Sequence, residues 1–175
     1  MENQKIKIAT ILPYKENYSK EKASAASLWV SEFFKRSKFK ESNFIFGNTT
    51  SKNFLTNNYI NIKLKNINSK LKSATKEYTK KLTAKIGSAN FDLIEIHNRP
   101  LILKQLYHNI DSKFIIYFHN DPLSMNGSKT TKQRLDIISK VEKIIFVSEW
   151  VQKRFFIDLD NKLMTKTEVV YPSVN

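Results

Sequence analysis

Cysteine is absent from the 175 residues. That excludes disulfides and thiolate metal sites, and it makes a cytoplasmic location the default expectation. Glycine occurs three times, at Gly47, Gly87 and Gly127. The Gly-x-Gly-x-x-Gly turn of dinucleotide-binding domains and the phosphate loop ending in Gly-Lys-Ser/Thr are both missing, which argues against NAD and ATP chemistry. No apolar run approaches the roughly 20 residues that span a bilayer. The start, "MENQKIKIATILPY", lacks a secretory pattern, because its short apolar stretch leads into a strand-like one. Acidic residues are few, 16 against 30 Lys and Arg, for a net charge of +14.

What is present suits one domain with a full core, since the apolar fraction is 41%. The positive charge sits mostly in the first half. Residues 1–90 hold 18 basic against 6 acidic side chains, and residues 91–175 hold 12 against 10. Such a face suits an anionic partner: phosphates, a membrane surface or nucleic acid. The plain alternative is a lysine-rich solvated surface.

Hydrophobic periodicity predicts alternating strands and helices. Strands are expected over 5–12, 43–48, 58–64, 91–97, 113–119, 143–148 and 168–172. Helices are expected over 20–37, 69–88, 100–110, 129–141 and 149–157. In the first helix Ala26, Trp29, Val30, Phe33 and Phe34 share a face. Pro100 suits a first helical turn, and Gly87 a helix end. Several strands are continuous apolar runs, as when helices cover both faces of a parallel sheet. The fold class is therefore α/β, doubly wound and mostly parallel, as a single Rossmann-like domain over 1–175.

In such sheets ligands bind outside the carboxyl ends of the strands. Polar residues at those ends are the candidates. His97 closes "FDLIEIH" and His119 closes "KFIIYFH". His119 in "HNDPL" is the candidate catalytic residue, because an Asx-turn accounts for Asn120, Asp121 and Pro122 but not for a histidine ending an apolar strand. His97, Asn98, Arg99, Asn120 and Asp121 are candidates for holding sugar hydroxyls or an anion, with Arg99 suited to forked contacts. Asn98 could equally cap the helix that Pro100 begins. Ser148 and Glu149 fall on the same edge, where Ser148 is also a good N-cap. His108, late in a helix, reads as structural. A metal site from His97, His119 and Asp121 has no support in ligand spacing. Ser24 and Ala25 are small residues near a helix start, where an anion can approach backbone N–H groups and Lys15 adds positive charge, although a plain helix start accounts for them equally well. In 69–88, Lys72, Lys76, Lys80 and Lys81 accompany a narrow apolar stripe of Leu71, Ala74, Tyr78 and Leu82, a pattern that suits either a surface meeting anionic lipid or an ordinary solvated helix packed by its stripe.

The segments "IKIATILP", "IEIHNRP", "IIYFHNDP", "KIIFVSEWVQKRF" and "VVYPSVN", in that order, resemble the N-terminal domain of family-4 glycosyltransferases. The likeness is weak over 38–90. One departure is that "KEKASAAS" stands where that family commonly has a Gly-Gly loop. The resemblance implies the acceptor-side half of a retaining, GT-B-fold enzyme of cell-surface polysaccharide or lipopolysaccharide synthesis. It implies a nucleotide-sugar donor shared with a second domain, a glycan or lipid-linked acceptor, no cofactor and no metal. It also implies a cytoplasmic protein, peripheral on the inner membrane face, with His119 near the transferred sugar. The 175 residues alone are then expected to be inactive. The rival expectations are a basic nucleic-acid-binding module and a non-catalytic nucleotide- or sugar-binding domain. Nucleic acid is disfavoured, because Phe33, Phe34, Phe114 and Phe118 sit in core patterns rather than among basic groups.

Overall fold

The computed structural model describes residues 6–64 and 73–172. Seven strands form one parallel sheet: β1 (Ile8–Ile11), β2 (Asn43–Gly47), β3 (Tyr59–Asn61), β4 (Leu93–His97), β5 (Lys113–Phe118), β6 (Lys143–Phe146) and β7 (Thr167–Val169). Their order is β3-β2-β1-β4-β5-β6-β7. The helices are α1 (Ala25–Arg36), α2 (Ala74–Gly87), α3 (Pro100–Tyr107), α4 (Thr131–Lys140) and α5 (Glu149–Phe155). This is the doubly wound α/β architecture expected from the alternating pattern. The order reverses between β1 and β4, where Ile8–Ile11 pair with Leu93–Ile96.

The two faces of the sheet differ chemically. On one, Ile11, Phe46, Ile94, Ile96, Ile116 and Phe118 pack against apolar side chains of α2, α3, α4 and α5. Burying each such side chain contributes about 1.5–3 kcal/mol. The other face carries α1 and a smaller cluster of Leu12, Tyr18, Val30, Ile45 and Tyr59. Side chains alternate along a strand, so Thr10, Glu95, His97 and Tyr117 all fall on the α1 side. Polar groups are thus concentrated on one face, under one helix.

Several elements are shorter than their periodicity suggests. The first helix begins at Ala25, because Ser24 accepts from Ser27 N as N-cap. Residues before it are held as turns: Ser19 bridges Phe54, and Glu21 accepts from Ser51 Oγ and Asn53 Nδ2. Phe33, expected in the core, is 52% exposed and stacks on Trp29. α2 begins at Ala74, capped by Ser73; Leu71 and Lys72 lie outside the described residues. Tyr78 and Leu82 of its stripe are fully buried, and Tyr78 Oη donates to Leu12 O at 2.8 Å. The apolar stripe of α2 is therefore spent on the core, and its outward face carries Lys76, Lys80 and Lys85 beside Ala84 and Gly87. Among the described residues, no helix is long and apolar enough to cross a membrane.

Candidate functional site

The carboxyl ends of β4 and β5 carry the two histidines side by side. His97 pairs with Tyr117 in register, and its ring stacks on the Tyr117 ring with centroids 4.4 Å apart. His97 Nδ1 lies 2.8 Å from His119 Nε2. Trp29 of α1 meets His97, Tyr117 and His119 edge-on. Behind them Tyr117 Oη donates to Glu95 Oε1 at 3.2 Å. Thr10 Oγ1 lies 2.6 Å from Glu95 Oε2 and 3.0 Å from Asn43 Oδ1. One hydroxyl proton serves only one of those two acceptors at a time.

Burial sets the charge states. It lowers His97 well below the ordinary imidazole value, and the neighbouring His119 adds to the effect. It brings His119 down to about 4. Both rings are neutral at pH 7. Burial also pushes the Glu95 carboxyl up, against the hydrogen bonds from Thr10 and Tyr117.

Asn98 locks the two strand tips together. Its backbone is left-handed, with φ 51°, a conformation Asn tolerates better than most residues. Its N–H donates to Tyr117 O, and its Oδ1 accepts from His119 N at 2.8 Å. Asn98 is thus not the cap of α3. That position belongs to Arg99, whose side chain makes no capping bond and instead donates to Asn98 O. We expect Asn98→Ala to cost about 1–3 kcal/mol, by straining the backbone and orphaning His119 N–H. Asn98→Asp, which keeps an acceptor and tolerates the conformation, should recover most of that in urea unfolding. Equal losses in both would show that the side-chain bond contributes nothing.

A cleft of about 930 Å³ opens at these tips and runs along α1. His119, Asn98 and Asn120 line one side. Ala25, Ala26, Leu28, Trp29, Glu32, Phe33 and Arg36 line the other, with Val147, Tyr171 and Pro172 as the far wall. Ala25 lines the same cleft as His119, while Ser24 is occupied as the α1 cap. Lys15 stands outside the lining, with its Nζ over the Tyr14 ring.

The remaining candidates are not drawn into the cleft. Asp121 accepts from Arg154 Nε and Nη2 at 3.2 and 2.9 Å and from Leu123 N. That pairing holds its carboxylate below the usual range. Ser148 caps α5 by accepting from Val151 N, and Glu149 is exposed near Lys153. His108 is the C-cap of α3. Among the described residues, no group of three or more His, Asp or Glu side chains could hold a metal ion.

Trp29, Tyr117 and Glu95 escaped sequence reasoning. Trp29 and Tyr117 were absorbed into apolar patterns. Glu95 had a legible signal, a carboxylate inside the apolar strand "LIEIH". Compared with known proteins, the sequence matches no family model, and no curated protein matches it significantly.

Proposed function

We propose that this chain is the acceptor-side half of a sugar-transferring enzyme, handling a glycan or lipid-linked acceptor beside a nucleotide-sugar donor. The observation that carries the reading is His119. It is a neutral imidazole at the tip of β5, beside the reversal of strand order, opening into a cleft large enough for a sugar and part of its neighbour. Asn98 and Asn120 supply amides along the same wall. Placement and hydrogen bonding, rather than strong base chemistry, are what such groups offer a departing diphosphate and an incoming hydroxyl. The family-4 resemblance of "IIYFHNDP" and "IEIHNRP" supports the same reading.

Amide-detected NMR of the chain, titrated with methyl glycosides and nucleotide sugars at millimolar concentration, tests it. Shifts concentrated at Ala25, Asn98, His119 and Asn120 are expected. A set of glycosides and nucleotide sugars that leaves all four unmoved would count against the reading.

The outward face of α2 motivates a membrane contact within this proposal. Lys76, Lys80 and Lys85 are exposed, while Lys81 Nζ is held by Lys63 O at 2.5 Å and Glu77 Oε1 at 3.2 Å. With Tyr78, Leu82 and Ile86 buried, this helix offers charge without an apolar insertion. Each free lysine near an anionic surface contributes about 1 kcal/mol. Replacing all three by Gln should then weaken binding to phosphatidylserine vesicles at low salt on the order of 100-fold. Unchanged flotation would remove the membrane from the proposal, and salt-sensitive binding to arbitrary DNA without vesicle binding would favour the nucleic-acid reading.

A further inference from the structure

The His97–His119 contact raises a question of proton placement. Two neutral imidazoles joined through Nδ1 and Nε2 at 2.8 Å share one proton between those atoms. If His119 donates from Nε2, then His97 must carry its own proton on Nε2. That atom is fully buried and has no hydrogen-bond partner, so an N–H would be orphaned there. If His97 donates from Nδ1, its Nε2 is left with only a lone pair. An orphaned buried N–H is the rarer and costlier of the two.

We propose that His97 is a positioning residue that fixes His119 as the Nδ1–H tautomer, so that His119 presents a hydrogen-bond donor. Three contacts hold the His97 ring for this task. It stacks on Tyr117, Trp29 meets it edge-on, and Tyr117 is anchored through Glu95. His119 is held in turn by Asn98, which takes its backbone N–H. No protein group among the described residues occupies His119 Nδ1, and His119 lines the cleft. A donor at that point recognises an oxygen that can only accept or that prefers to accept: a glycosidic or ring oxygen, a sugar hydroxyl oxygen or a phosphate oxygen. A His119 lone pair would select a donor instead. The consequence for a sugar rests on the transferase reading, whereas the tautomer does not.

Long-range nitrogen–proton NMR correlation of the imidazoles in the 175-residue chain at pH 7 reads the tautomer directly, without any substrate. The His119 signals are assigned by their loss in His119→Ala. The expected result is a protonated Nδ1 and an unprotonated Nε2 on His119, with a protonated Nδ1 on His97. His97→Phe keeps a ring on Tyr117 but has no proton to donate. With that hydrogen bond gone, the His119 Nε2 nitrogen resonance should move toward the position of a free lone pair. A wild-type His119 carrying its proton on Nε2 overturns the proposal, and so does an unchanged His119 Nε2 resonance in a folded His97→Phe. Should that variant fail to fold, the wild-type spectrum still decides.

Discussion

On the proposed sugar-transfer function, His119→Ala is expected to lower transfer on the order of 10²- to 10³-fold in the two-domain enzyme that the proposal implies, while fold and nucleotide affinity are kept. That size matches the loss of one oriented hydrogen bond that tightens as the glycosidic bond breaks. Such a bond contributes to the rate more than to ground-state binding, so the loss should fall on kcat rather than KM. The fold should tolerate the change, because His119 is only partly buried and its backbone N–H to Asn98 survives. His108→Ala is the control, since His108 caps α3 away from the cleft. Turnover near wild type in His119→Ala would make the histidine structural. A variant that merely unfolds would lead to the same conclusion.

Acidification from pH 6.5 to about 4 is expected to remove on the order of 3 kcal/mol of stability through His119 alone. The unfolded ring takes up its proton near 6.5, and the folded ring only near 4. Between those values the unfolded state binds more protons, so stability falls as pH falls. His97, lowered further by deeper burial, acts in the same direction. Glu95 opposes them: its raised pKa lets the folded state take a proton first, which stabilises as pH falls through that carboxyl's range. The comparison that isolates the histidine is urea unfolding of wild type and His119→Gln at pH 7 and pH 4.5. The variant should lose markedly less stability on acidification. Parallel losses in the two proteins would show that His119 carries no linkage.

The sheet was legible because several of its strands are largely apolar runs, and because "IEIH" and "IIYFH" end so abruptly in polar groups. Those endings also marked His97, Asn98, His119 and Asn120, which the fold brings to one edge. The pairing of the two histidines was not legible. It depends on β4 and β5 being neighbours with His97 opposite Tyr117, a matter of register rather than of composition. Trp29 was hidden for a related reason. A helical apolar stripe does not say which of its members cover the core and which hang over a cleft, and Phe33 went the same way. Asp121 looked like a ligand because its partner, Arg154, is 33 residues away. Helix starts were misjudged where Ser24 and Ser73 cap later than the periodicity begins.

The place of β1 inside the sheet, between β2 and β4, sets an order of events during synthesis. Thr10 and Glu95, joined across β1 and β4, are 85 positions apart. The central pair cannot close until the chain through His97 has left the ribosome, and closing so long a loop is entropically slow. Until then β1 can pair only with β2, which β3 can join on its far side, and Ile11 and Phe46 lack the cover of α3. Nascent chains of this protein therefore pass through a stage in which β1 presents an open apolar edge, the stage at which chaperone capture or misassembly competes with folding.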